Sequence, residues 1–113
     1  MHEVSIAQGL LKILQDEAEK HGATRVITVH VRIGELSNLV ADALLFAFEA
    51  IIAGTVAEGA KLEIEIVPAM GHCGKCNMDF SVAGMMFFCP QCNEIAAEII
   101  SGKEMEVSEI EVE

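Results

Sequence analysis

Four cysteines in the stretch GHCGKCNMDFSVAGMMFFCPQCN constrain this chain more than any other feature. They form two C-x-x-C pairs, Cys73 with Cys76 and Cys89 with Cys92, and the twelve residues between the pairs are enough for a short hairpin that returns the second pair to the first. Four thiolates brought together in this way close a tetrahedron around zinc, at sulfur distances of about 2.3 Å. Each pair is followed by an asparagine, Asn77 and Asn93. Asparagine is one of the few residues that tolerates left-handed backbone, which a knuckle needs where it turns away from its ion. A single C-x-x-C would compete with a redox dithiol, but two at this spacing favour zinc. A closed four-sulfur site leaves no open coordination position, so it folds a lobe and does not catalyse. Iron is the rival tenant, because C-x-x-C with C-P-x-C also suits a four-sulfur iron centre. Met85, Met86, Phe87 and Phe88 are expected to pack around the site, since so small a lobe has little other core.

The chain has 113 residues, about one domain's length, with 18 acidic against 7 basic side chains and a net charge of -11. Such a surface repels phosphate backbones and anionic headgroups, so neither nucleic acid nor a membrane is an expected partner. The ribbon offers only Lys75 as a base against Asp79, Glu94 and Glu98. A protein with a basic patch fits better. No apolar run reaches the roughly 18–20 residues of a membrane helix, and the first residues lack the pattern of a secretory signal. The expected location is the cytoplasm, where thiols stay reduced and paired cysteines bind metal.

Elsewhere the hydrophobic pattern places the elements. Ser5, Ile6, Ala7 and Gln8 have the S-x-x-Q form of a capping box. The helix this predicts carries Val4, Ala7, Leu11, Leu14 and Ala18 on one face, joined by Ile6, Leu10 and Ile13, and ends at Gly22. From Arg25 to Gly34 the period falls to two, with Ile27, Val29, Val31 and Ile33 on one side. A second helix is expected from Asp42, as its N-cap, to Ala53, packed through Leu44, Phe46, Ala47, Ala50 and Ile51. A second strand alternates Leu62, Ile64 and Ile66 against Lys61, Glu63 and Glu65. In the last segment Met105 and Val107 share one parity and Ile110 and Val112 the other, which predicts a bulge or change of face near Ser108 and Glu109. The expected fold is α+β: two helices packed on a three-stranded, mainly antiparallel sheet, with an inserted four-cysteine zinc-ribbon lobe. The domains are then 1–68 with 101–113, and the ribbon 69–100.

The chain begins MHEVSI. A free amine on Met1, the backbone amide nitrogen of His2 and its imidazole Nδ1 can close two fused chelate rings around one ion. Three nitrogens in a plane suit Ni(II) or Cu(II). Glu3 offers a fourth donor through its amide or its carboxylate. On its own a second-position histidine is a weak sign, its ordinary role being a solvated side chain.

MHEVSI at the start, VRIGELSNLVADALLFAFEAIIAGT in the middle, the paired C-x-x-C insertion and the terminal GKEMEVSEIEVE together resemble the HypA/HybF family of hydrogenase nickel-incorporation proteins. The resemblance runs the whole chain in the same order. It implies a metallochaperone that takes Ni(II) at Met1, His2 and Glu3 as transferable cargo and keeps structural zinc at Cys73, Cys76, Cys89 and Cys92. It also implies a nickel-handling GTPase as maturation partner and the large subunit of NiFe-hydrogenase as client, with urease served by some relatives. One departure is Ala41 in LVADAL, where the family usually has proline; Asp42 is expected to cap the helix instead.

Three further histidines have bland readings beside sharper ones. His21 falls at a helix C-terminus, where it complements the dipole. His30 lies on the polar face of a strand and completes a nickel site only if the N-terminus folds over the sheet. His72 precedes Cys73 and is a solvated hinge residue or an exchanging zinc ligand. The ribbon's flanks, Pro68 to Gly71 and Ser101 to Gly102, would permit exchange between chains and so a homodimer. No nucleophile–base arrangement or phosphate-cradling glycine loop is present, which points away from an enzyme and leaves nucleotide chemistry to a partner. Two other classes fit parts of the sequence: a zinc-ribbon protein-interaction or transcription-associated adaptor without nickel, and a small iron electron carrier.

Overall fold

Helix α1 (His2–Lys20) repeats its buried positions at helical spacing, with Ala7, Leu10, Leu14 and Ala18 enclosed. Lys12, Asp16, Glu19 and Lys20 are exposed, and Ile13, expected on the apolar face, is 44% exposed. This is a computed structural model, which describes residues 2–82 and 87–113 and, of His2, the backbone alone. The helix begins earlier than the capping box predicts, so Ser5 and Gln8 lie inside it as exposed residues. Val4, expected on the apolar face, is half-buried there, and the earlier start sets Glu3 in the first turn, where a negative charge suits the dipole. Gly22 ends the helix in left-handed backbone (φ 63°), and Ala23 N–H donates to the Ala18 carbonyl at 2.8 Å.

Strand β1 (Val26–Gly34) buries Val29, Val31 and Ile33 alternately, as expected, whereas at its start Ile27, expected inside, is half-buried and Val26, of the other parity, is buried. Helix α2 (Ala41–Ile51) follows a 3-10 turn at Glu35–Ser37 and packs against α1. Its buried stripe is Leu44, Ala47 and Phe48, continued by Ile52. Phe46, expected inside, is 77% exposed, and Ala50 is exposed too. Helical spacing explains the difference: from Leu44 the same face recurs at Ala47 and Phe48, whereas Phe46 lies about 200° around the axis. The helix also starts differently, with Val40 as N-cap and Asp42 within the first turn.

Strands β2 (Lys61–Val67), β1 and β6 (Met105–Val112) make a three-stranded sheet in the order β2-β1-β6. In β6 the half-buried residues are Val107 and Ile110, three apart, so the strand changes face where its parity slip lies. A similar slip occurs at the end of β2, where Val67 is buried and Ile66, expected inside, is 48% exposed. Strands β3 (Met70–Cys73), β4 (Met78–Ser81) and β5 (Glu98–Ser101) form a second sheet, ordered β4-β3-β5 and antiparallel throughout. Among the described residues the fold is thus α+β, with two α-helices, a three-stranded sheet of long strands and an inserted four-cysteine lobe that has a small sheet of its own.

Two compact units divide the chain. One comprises the chain to Val31, Leu39–Glu65 and Val107–Glu113, and its fully enclosed side chains include Leu14, Val29, Leu44 and Phe48. The other comprises Arg32–Asn38 and Ile66–Glu106. Within this second unit two glycines cross: a Cβ on Gly34 would run into the backbone of Gly102 and Lys103. Around the crossing, Gly34 N–H donates to the Glu104 carbonyl (2.7 Å) and Leu36 N–H to the Gly102 carbonyl (2.8 Å). Ala69 N–H donates to Glu35 Oε1 at 2.8 Å.

Candidate metal centre

The two C-x-x-C motifs fold as matching knuckles. In the first, β3 delivers Cys73, the chain turns through Cys76, and Asn77 enters left-handed backbone (φ 53°) with its N–H donated to the Cys73 carbonyl at 2.8 Å. In the second, Asn93 has φ 63° and donates its N–H to the Cys89 carbonyl, also at 2.8 Å. The repeated C-x-x-C-N is therefore one backbone device used twice, with asparagine where the left-handed turn demands it. The Cys76 N–H also points at Cys73 Sγ, at 3.3 Å. Backbone bonds from Cys89 N–H to Glu94 (2.8 Å) and from Ala96 N–H to Phe87 (2.7 Å) close the second knuckle.

The four sulfurs lie within 4.8 Å of one another, and Cys73 and Cys92 approach to 3.4 Å. Four sulfurs about 2.3 Å from a tetrahedral ion stand about 3.8 Å apart, so the group has the size and donor chemistry of a zinc site. All four cysteines are free thiols. Cys73 and Cys89 are buried among Ala69, Phe80 and Val82, with Phe87, Ala96 and Ile99 packed against them. Of the four residues expected to pack around the site, Phe87 does so, Phe88 is 51% exposed, and Met85 and Met86 lie outside the described residues.

The thiols are not equivalent. Backbone N–H groups of Cys92 and Gln91 stabilise the Cys89 thiolate and bring its pKa down to about 7. Cys76 is pushed up to about 12, chiefly by its hydrogen bond with Cys92 and then by burial. The Cys89 thiolate is thus more readily formed than that of Cys76, whose proton a bound metal would have to replace.

His72 stands beside this group and outside it: its Nδ1 meets Asp79 Oδ1 across the β3–β4 pair at 2.8 Å, a hydrogen bond that raises its pKa. His30 lies on the half-exposed side of β1, its Nε2 3.5 Å from Glu109 and 3.8 Å from Glu63. His21, just past α1, reaches back to Glu17 at 3.4 Å.

Of the other expected metal residues, Met1 and the side chain of His2 lie outside the described residues. Glu3 is described, and its Oε2 accepts the backbone N–H of Val40 at 3.2 Å. Sequence reading missed this link. Its only trace is that the start of α2, Val40-Ala41, offers no capping side chain. No helix among the described residues is long and apolar enough to cross a membrane.

A family model described as "Hydrogenase/urease nickel incorporation, metallochaperone, hypA" matches residues 1–112. A protein named hydrogenase maturation factor HypA, from Roseiflexus sp. (strain RS-1), is 45% identical over 114 residues, covering 100% of this chain and 93% of the relative. A protein of the same name from Geobacter sulfurreducens is 43% identical over 113 residues, with 100% of both chains covered. Among solved structures, one titled "Solution structure of HypA protein" superposes with a TM-score of 0.73 at 27% identity, covering 99% of this chain and 96% of the other. The chain therefore belongs to the HypA family of hydrogenase/urease nickel-incorporation metallochaperones, which are maturation factors and not enzymes.

Proposed function

We propose that this chain captures Ni(II) at Met1, His2 and Glu3 and delivers it, with a nickel-handling GTPase, to the large subunit of NiFe-hydrogenase in the cytoplasm. The donors are the Met1 amine, the His2 amide nitrogen and the His2 imidazole, with Glu3 completing the site. The amides of a helix's first turn have no intrahelical acceptor, so an ion can take such a nitrogen without breaking a backbone hydrogen bond. α1 begins at His2. Three nitrogens suit the planar preference of Ni(II). Held at a chain terminus, the ion can pass to a client one ligand at a time, where a buried cage would trap it. Binding releases protons from amine, amide and imidazole, so nickel affinity falls in acid.

Cys73, Cys76, Cys89 and Cys92 hold structural zinc in this reading, and the ion's contribution is to fold the ribbon, residues 69–100, as a separate domain from the nickel-binding part, 1–68 and 101–113. The protein's net charge of -11 favours basic protein surfaces as partners over nucleic acid or membrane. A homodimer is compatible with the delivery role.

The observation that supports this reading most is the reach of the family match, residues 1–112, which takes in the Met1-His2-Glu3 opening together with all four cysteines. Its test is a Ni(II) titration of two versions, one starting at Met1 and one with a single residue added before it. Addition of that residue, like His2→Ala, is expected to weaken nickel binding by at least about 100-fold, above the roughly 10- to 100-fold cost of losing an outer-shell partner, and to leave zinc content unchanged. Equal nickel affinity in the two versions would remove the terminal chelate.

A further inference from the structure

Glu3 is the member of the Met1-His2-Glu3 motif whose side chain the structure describes, and its carboxylate is engaged at 3.2 Å with the backbone N–H of Val40. Val40 is the N-cap of α2 and makes no side-chain cap hydrogen bond. In an ordinary capping box a Ser, Thr, Asp or Asn at the N-cap takes one orphan amide, and a Glu or Gln at the third helical position reaches back to the N-cap N–H. Here the third helical residue is Ala43, so neither half of the box is available from α2 itself. Glu3 performs the second half from another helix. Its charge also lies at the positive end of the α2 dipole.

Building on the nickel reading above, we infer that the Glu3 carboxylate is a positioning group and not a nickel donor: by clamping the first turn of α1 to the start of α2, it fixes the base on which the Met1 and His2 nitrogens close around the ion. Chain termini fray unless they are tied down. A tie at the third residue removes that freedom in advance, and preorganisation of this kind strengthens binding without adding a ligand. A carboxylate that turned to the ion would leave the Val40 N–H without this acceptor.

Three variants of the full, zinc-loaded chain test the assignment, each titrated with Ni(II) alone and followed by calorimetry and by the d–d absorption of the nickel complex. Glu3→Gln keeps an acceptor oxygen for Val40, and Glu3→Ala removes it. Val40→Pro removes the donor, at a residue whose φ of -93° is near the proline range and whose side chain is 57% exposed. All three retain the Glu3 backbone nitrogen. The expected result is that Glu3→Gln binds within about twofold of wild type, while Glu3→Ala and Val40→Pro bind about 5- to 10-fold more weakly, the scale of one net hydrogen bond at an exposed site. The d–d spectrum is expected to be the same throughout. Glu3→Gln as weak as Glu3→Ala, with a changed spectrum and Val40→Pro normal, would make the carboxylate a donor and overturn the inference. Wild-type affinity in Glu3→Ala would overturn it as well. Should Val40→Pro fail to fold, the Gln and Ala pair decides by itself. A chain that loses nickel when a residue precedes Met1, but binds normally as Glu3→Ala, keeps the delivery reading and loses only the clamp.

Discussion

In the four-cysteine lobe the donor atoms come from residues as far as 19 apart, and they meet only because two knuckles, three short strands and the side chains of Ala69, Phe80 and Val82 bring them together. The donors assigned to nickel sit on consecutive residues, and the covalent chain keeps them within reach of one ion, with the Glu3–Val40 contact as a tertiary tie. One arrangement costs folding and rewards it; the other needs almost none. Sulfur ligands gathered by tertiary structure cannot be surrendered without unfolding their surroundings, which suits an ion that stays. Nitrogen ligands strung along a terminus can be given up singly, which suits an ion that leaves.

Removal of the zinc proposed for the four sulfurs is expected to separate the two regions most severely. Structural zinc contributes about 10–16 kcal/mol in small zinc-binding folds, comparable with or above the whole stability of a domain, about 5–15 kcal/mol. Chelation, or Cys73→Ser, is therefore expected to collapse the second unit. In an amide-resolved NMR spectrum the signals of Asn77, Cys89 and Asn93 should lose dispersion while those of Leu14, Leu44 and Phe48 keep theirs, and the N-terminal nickel affinity should survive. Uniform loss in both units would show that the two do not fold independently, and the contrast between resident and passing metal would lose its structural basis.

How far the sequence displays these regions follows from the range of the forces involved. The knuckles were legible because their signal is local: ligand spacing and the left-handed asparagines, Asn77 and Asn93, lie within five residues of one another in each copy. Alternation likewise exposed β1 and the change of face in β6. What remained hidden depends on partners distant in sequence. Phe46 and Phe48 are equally apolar, and only the packing of α2 decides which is enclosed. Glu3 and Val40 are 37 residues apart, so no local pattern pairs them. The capping box at Ser5 misled because its two side chains satisfy a rule that matters only at a helix end, and the helix continues past them. The small sheet β4-β3-β5 escaped notice because each strand has four residues, too few for a period to register.

A gentler perturbation uses two glycines with opposite expectations. Gly9 lies exposed inside α1, and a Cβ there meets nothing within 4 Å. Gly9→Ala is expected to stabilise by about 0.5–1 kcal/mol, because alanine loses less backbone entropy in a helix. Gly34→Ala drives a methyl group into the backbone of Gly102 and Lys103, which has no rotamer with which to retreat. A loss of about 3 kcal/mol or more is expected, the upper range of overpacking. Urea unfolding of the zinc-loaded proteins measures both. A mild effect at Gly34 would mean that the backbone around the Gly34–Gly102 crossing yields more easily than its close approach implies.

The smallest expected effect concerns Glu104, whose Oε1 accepts the Gly102 N–H at 2.7 Å beside that same crossing. Hydrogen bonds from the backbone N–H of Glu104 itself and from Gly102 hold its carboxyl below the ordinary value of 4.5. The native state thus binds this proton less readily than the unfolded chain does. Its contribution to stability is complete above the unfolded value and disappears as pH falls through the lower native one. Glu104→Gln keeps an oxygen in place to accept from Gly102, so its difference from wild type isolates the charge. That difference is expected to be small and constant between pH 6 and 8, and to close in acid below the usual carboxylate range, as followed by urea unfolding at each pH. A gap that stays open in acid would assign the effect to geometry instead of charge. Because the group belongs to the unit that carries the sulfurs, nickel affinity at neutral pH should not change with it; a parallel loss of nickel binding would mean that the two regions are coupled through this turn.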